Sequence, residues 1–301
     1  MIEMLENFSF FLPVYNESHR LLHHRRALSL LRHATIIDAG STDGTLEIVH
    51  GWGLPFLQIV IIPNPHSEPR TPTWYQKVIK YSATKHFMIG NVGHVYSVSL
   101  LRELDVLCSN RDVDVVSIPN LHYFCNQLDS TFGDYRPPLS PSALASLLFP
   151  PKQRTSGQLL HCDVIDWRLF RIHNELPVAI NNPIVLKRAK NCIYSFRDED
   201  TYSLEIKHAG YSTSHAKDLQ GLGYKKPISQ RMLFITYFAH FFHCWLYKAS
   251  FIQGVAGFVT AHYWASYHLS VKIRLWELQN NLTQQSLVKM HNYRRGIMQE
   301  L

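Results

Sequence analysis

The stretch Thr35-Ile-Ile-Asp-Ala-Gly-Ser-Thr-Asp-Gly-Thr-Leu-Glu-Ile-Val49 decides how the rest of this chain is read. An apolar run ends at Asp38, Ala39, Gly40 and Ser41 form a turn, and Thr42-Asp43-Gly44-Thr45 leads into a helical pattern. Such a strand delivers a carboxylate to the carboxyl edge of an open α/β sheet, where sheets of this kind bind ligands. Asp38, Ser41 and Asp43 are also types that serve as ordinary turn and N-cap residues.

The same shape occurs just upstream in Phe8-Ser-Phe-Phe-Leu-Pro-Val-Tyr-Asn-Glu17. A short apolar strand stops at Pro13, and Tyr15, Asn16 and Glu17 fall on the loop that follows. Two neighbouring strand ends then offer an aromatic face, an amide and several carboxylates to one crevice. That set suits a nucleotide, with its base on Tyr15 and Asp38 accepting a base N–H.

These two loops resemble those of family 2 glycosyltransferases of the A-type fold. There the first strand ends in Pro-x-Tyr-Asn-Glu and the second in Asp-x-Gly-Ser-Thr-Asp-Gly-Thr. The resemblance implies a Rossmann-like, mostly parallel sheet. It also implies that Pro13, Tyr15, Asn16, Glu17, Asp38, Ser41 and Asp43 surround a nucleotide-sugar donor.

Strand and helix alternate through the first half: strands at 8–12, 35–37, 57–62, 86–89 and 113–118, helices at 18–32, from Thr45, at 73–84 and at 99–107. This alternation predicts a parallel, doubly wound sheet. Pro63 to Pro72 holds four prolines and reads as a loop over the sheet edge. From 120 to 158 the alternation lapses.

The strand at 86–89 departs from the family. Its members end this strand in Asp-x-Asp, which binds a divalent metal bridging the donor diphosphate. Here Asn91-Val92-Gly93 and then His94 stand in its place. Mg²⁺ and Mn²⁺ want charged oxygen ligands, so their site is degenerate and no cofactor follows with certainty. Without metal, Lys77, Arg70 or Arg171 would answer the diphosphate charge, and Asn91 and Gly93 would line the donor site.

A second informative stretch is His161-Cys-Asp-Val-Ile-Asp-Trp-Arg-Leu-Phe-Arg-Ile-His-Asn-Glu-Leu-Pro177. It resembles the Arg-Leu-Phe-Arg segment of bacterial family 2 enzymes, including those of lipopolysaccharide-core assembly. An inverting transferase needs a carboxylate to take the acceptor's proton. Glu175 is the expected base, with Asp166 and Asp163 as alternatives. Arg168 suits phosphate contact or a plain salt bridge.

The tail changes character. Two uncharged, aromatic-rich runs, Met232–Tyr247 and Ala249–Val271, have lengths near the ~20 residues that span a bilayer. Histidines interrupt them, and flanking Trp, Tyr and Lys suit helices lying in the headgroup region. The alternatives are an oligomer interface, such as dimerisation, and simple packing on the catalytic domain. Phe251-Ile-Gln-Gly-Val-Ala-Gly-Phe258 and Leu275-Trp-Glu-Leu278 again resemble the lipopolysaccharide-core branch. The expected division is a glycosyltransferase domain at 1–215 and a helical region at 216–301.

The 301 residues, 46% of them apolar, supply a full core, and the net charge of +7 permits an anionic partner. The cluster His23-His24-Arg25-Arg26 reads as a solvated helix face, and no nucleic-acid motif appears. Five scattered cysteines without a Cys-x-x-Cys pair read as reduced, mostly buried thiols of a cytosolic protein. The N-terminus shows no export pattern. The expectation is a cytoplasmic enzyme, peripheral at a membrane's inner face and open to homo-oligomerisation. It would transfer sugar from a nucleotide sugar to a glycan or lipid-linked acceptor. The other class is a non-catalytic nucleotide-sugar-binding or scaffold protein.

Overall fold

The first strands form where the sequence has apolar, aromatic and β-branched runs. Strand β1 (Ser9–Val14) lies parallel to β2 (Ala34–Asp38), with Phe10 opposite Ala34 and Val14 opposite Asp38. The computed structural model describes residues 4–62, 77–110, 112–124, 127–131, 168–173, 176–177, 186–196, 201–221, 223–282 and 284–300. β3 (Leu57–Ile61) extends the parallel ladder beyond β2, and β4 (His86–Ile89) flanks β1 on its other side. Then follow β5 (His94–Val95), β6 (Val115–Ser117), β7 (Asn120–Phe124), β8 (Gln127–Leu128), β9 (Arg168–His173), β10 (Leu176–Pro177), β11 (Leu186–Arg188) and β12 (Ile193–Ser195).

Among the described residues the main sheet runs β11-β6-β9-β4-β1-β2-β3, with β10 paired to β9. Its β1, β2, β3, β4 pairs and the β11–β6 pair are parallel, whereas β9 is antiparallel to β4 and to β6. The chain is thus α/β with a mostly parallel sheet, as its alternation predicts. A smaller sheet has the order β5-β12-β7-β8. The lapse expected after residue 120 therefore hides two strands, β7 and β8.

Alternate side chains of the main sheet feed two cores, as strand geometry requires of a sheet covered on both faces. Phe10, Leu12, Ile36, Met88 and Val116 enter one. Phe11, Ile37, Phe87, Ile89 and Val115 enter the other, with Val78 and Ile79 packed there. Helix α1 (His24–Leu28), helix α2 (Thr45–Gly51) and helix α3 (Val98–Ser109) contribute Leu28, Val49, Leu100, Leu101 and Leu104 to the first core. Pro13 lacks an N–H, yet no ladder bond is lost. The last β1–β4 pair is Phe11 with Ile89, so β1 has already outrun β4 at that position.

The helix expected at 18–32 is shorter, a 3₁₀ turn at Leu21–His23 followed by α1. Beyond Ser29 the backbone has a better partner. Leu5 donates to the Leu30 carbonyl at 2.9 Å and accepts from the Arg32 amide at 2.9 Å. His24 is another correction: the 23–26 cluster is not wholly a solvated face, because His24 is 1% exposed.

The chain divides into two compact units. Described residues up to 128 together with 168–196 form the first, and 129–131 together with 201–300 form the second. The second contains helix α4 (Thr201–Gly221), helix α5 (Gln230–Phe242), helix α6 (Gly254–Gln279) and helix α7 (Gln284–Glu300). The domain boundary expected after residue 215 falls inside α4, which belongs to the second unit over its whole length. α4 and α6 bury Ala216, Val271 and Leu275 between them. No helix among the described residues is long and apolar enough to cross a membrane.

Two glycines in this helical unit predict opposite outcomes. At Gly257 a Cβ would collide with the Ser250 carbonyl, whereas at Gly210 it would meet nothing within 4 Å. Gly257→Ala should therefore destabilise by about 1–3 kcal/mol through overpacking. Gly210→Ala should stabilise by up to about 1 kcal/mol, because mid-helix glycine loses more backbone freedom than alanine. Urea denaturation midpoints check both signs.

Candidate functional site

At the carboxyl edge of the main sheet, the chain leaves β1 and β2 through two loops whose amides no strand can receive. Short polar side chains receive them instead. The Asn16 amide donates to Ser41 Oγ at 2.9 Å, the Glu17 amide to Thr45 Oγ1 at 2.8 Å and the Ser18 amide to Asp43 Oδ2 at 3.1 Å. In return the Thr42 amide donates to Asn16 Oδ1 at 2.8 Å. The two motifs are zipped into one structure.

The backbone conformations match the residue types. Asn16 has φ +53°, which asparagine tolerates better than most residues, and Gly40 and Gly44 have φ +100° and +87°. Asp43 also accepts from the Thr45 amide and hydroxyl. The Thr45 hydroxyl bond, followed by the donors of Ser18, holds its carboxyl well below the usual carboxylate range.

Asp38 is placed differently from the expectation that it accepts a base N–H. Its residue is 0% exposed. Oδ2 accepts the amides of Gly40 at 2.8 Å and Ser41 at 3.0 Å, while Oδ1 accepts the Ser41 hydroxyl. The carboxylate is turned into its own turn, which it organises. Glu17 is likewise committed, to a two-pronged bond with Arg20 at 2.7 Å from both donor nitrogens. Tyr15 keeps 58% of its surface exposed and is the aromatic face that the paired loops hold out.

The turn after β4 shares this edge, because β4 is parallel to β1. Asn91 Oδ1 accepts the Gly93 amide at 2.9 Å, and the Asn91 amide donates to the Tyr96 hydroxyl at 2.8 Å. The Val92 carbonyl accepts from His24 Nε2 at 2.8 Å, and the Gly93 carbonyl from the Phe196 amide at 2.7 Å. A divalent cation fits this turn poorly: its one side-chain oxygen is a neutral amide already holding Gly93. Among the described residues no group of three His, Cys, Asp or Glu converges to hold a metal.

The remaining predicted residues separate. Lys77 is exposed, on helical residues 77–79. Arg171 pairs in register with His86, the first residue of β4, and so lies at the amino edge of the sheet, away from the loops. Three residues along the antiparallel β9, Arg168 pairs with Ser117 at the carboxyl end of β6, about 10 Å nearer the loops. Register therefore exchanges the two arginines. Glu175, Asp166, Asp163 and Arg70 lie outside the described residues. His24 and Tyr96, which brace the 91–94 turn, were missed as site residues; an imidazole beside two arginines carries no sequence mark of burial.

No family model and no curated protein matches the chain. Among solved structures, it is similar to glucosyl-3-phosphoglycerate synthase from Mycobacterium tuberculosis in complex with phosphoglyceric acid. That match has 14% identity and a TM-score of 0.43, covering 73% of this chain and 81% of that one. Residues 1–349 of TarS from S. aureus match with 12% identity and a TM-score of 0.43, covering 91% of each chain. The same TarS fragment in complex with UDP-GlcNAc matches with 13% identity and a TM-score of 0.42, over 91% of this chain and 92% of that one. These are partial likenesses of shape.

The His24 contact makes the site acid-sensitive. Burial pushes its pKa down from 6.5 to about 4, outweighing the Val92 bond that raises it. The unfolded chain then binds the extra proton between pH 6.5 and 4, so the stabilisation is complete above 6.5 and falls with pH across that window. The loss reaches about 3 kcal/mol at 1.36 kcal/mol per unit. His24→Gln, which can still donate to Val92, should flatten the slope of stability against pH in denaturation series.

Proposed function

We propose that the chain is a glycosyltransferase, moving a sugar with inversion from a nucleotide-activated donor to a glycan or lipid-linked acceptor. One observation carries this: adjacent strand-end loops, zipped by four hydrogen bonds, leave the Tyr15 ring exposed at the edge where α/β sheets bind nucleotides. The family resemblance of these loops in sequence supports it. The nucleoside base stacks on Tyr15, and Asp38 acts as a positioning residue that holds the Gly40–Ser41 turn.

In the reaction the acceptor hydroxyl oxygen attacks the anomeric carbon, and the bond from that carbon to the diphosphate oxygen breaks. Glu175, or Asp166 in its stead, takes the hydroxyl proton. Negative charge accumulates on the departing diphosphate. Arg168, at the carboxyl edge by register, and Lys77 are the cations assigned to it. No step is routed through a metal ion, because the turn at 91–94 offers it no charged ligand. A second proposal, binding of a nucleotide sugar without transfer, is favoured by that same missing carboxylate pair.

Calorimetric titration with nucleotide sugars, with EDTA present, tests the reading. Tyr15→Ala should weaken binding by about 1–3 kcal/mol, the usual worth of one base on one ring. Unchanged affinity would remove Tyr15 from the site. Asp38→Ala should abolish binding through collapse of the turn, and sugar release or transfer in the same samples separates the enzyme from the silent binder.

A further inference from the structure

Helix α5 is an aromatic-rich helix without a single buried residue. Its inner side rests on α6, with Tyr237 hydrogen-bonded to His262 at 2.8 Å and the Phe241 ring 5.5 Å from that of Phe258. The flank next to it carries Phe234, Phe238, Phe242 and Leu246 at four-residue intervals, each about half exposed: 57%, 48%, 49% and 52%. Helical neighbours lie four apart, so these side chains form one stripe that continues from α5 into the π turn at His243–Tyr247.

The bend that follows adds to it. Ala249 has φ +56° and Gly254 φ +60°, and Gly257 lets α6 press against the Ser250 carbonyl. Ser250 Oγ donates to the Cys244 carbonyl at 3.0 Å. The reversal presents Phe251, Ile252 and Val255 at 47%, 58% and 81% exposure. Apolar surface of this extent is unusual on a protein that meets only water.

Charge indicates what covers it. Between Asp218 and Glu277 the chain has no acidic residue, yet it carries Lys225, Lys226, Arg231, Lys248, Lys272 and Arg274. Lys225 and Lys226 are exposed on the segment entering α5, and Arg231 is exposed in its first turn. Exposed aromatics beside cations, with no carboxylate in the same segment, match a surface of anionic headgroups over hydrocarbon.

We propose that α5 and the bend at 249–255 dock on the surface of an anionic lipid bilayer, lying in its plane with Phe238, Phe242 and Phe251 in the acyl boundary and Lys225, Lys226 and Arg231 at the phosphates. The stripe does not depend on the sugar-transfer reading. If that reading also holds, docking brings the enzyme to a lipid-linked acceptor.

Flotation of the full chain with phosphatidylcholine vesicles, with and without phosphatidylglycerol, tests this. The chain should float with the anionic vesicles and stay down with the neutral ones. The double substitution Phe238→Ser with Phe242→Ser, at exposed positions and checked for folding by circular dichroism, should cut the floated fraction roughly tenfold. Lys225→Glu with Lys226→Glu should lower it too, as should high salt. Absence of flotation with anionic vesicles overturns the proposal, as does equal flotation of the Phe238/Phe242 variant. So does a dimer in light scattering that this variant dissolves while no vesicle binding occurs. Nucleotide binding measured on the same variant keeps this outcome apart from that of the first unit.

Discussion

Backbone amides leaving the end of a parallel sheet have no next strand to accept them, and a buried unpaired N–H is expensive. The first unit answers with four short side chains, Asn16, Ser41, Asp43 and Thr45, each aimed at an amide of the other loop or its own. This mutual bonding ties the ends of β1 and β2 together and lifts Tyr15 out of the core. Asp38, buried beneath, keeps the turn in the shape that Ser41 needs. The residues that make up the motif are thus mostly consumed in building a platform, and the Tyr15 ring is left exposed above it.

Much of the first unit was legible because its signals are local. Apolar runs ending in Pro-x-Tyr-Asn-Glu and Asp-Ala-Gly-Ser specify strand and turn within a dozen residues, and β1, β2, β3, β4 and α3 follow them closely. What was illegible depends on partners distant in sequence. β9 enters the sheet antiparallel between β4 and β6, and only that register reveals that Arg168, not Arg171, lies at the loop edge. Similarly, the helix from residue 18 was cut short by Leu5, whose pairing with Leu30 and Arg32 no pattern within 18–32 announces.

The turn after β4 combines both lessons. The absence of a carboxylate from residues 91–94 was plain in the sequence, but what Asn91 does there was not. Its side chain closes a local turn on Gly93, while Tyr96 and His24 brace the turn from elsewhere in the fold. The helical unit repeats the point at larger scale. Its aromatic content was visible, yet only the packing separates Tyr237 and Phe241, committed to α6, from Phe238 and Phe242, which face outward.

Amide hydrogen exchange on the free and nucleotide-sugar-saturated chain bears most directly on the paired loops. The amides of Asn16, Glu17, Ser41 and Thr42 should exchange slowly in the free protein, because each is bonded, and more slowly still when a nucleoside lies on Tyr15. Fast exchange of these amides in the free chain, or no added protection with any nucleotide sugar, would contradict the account.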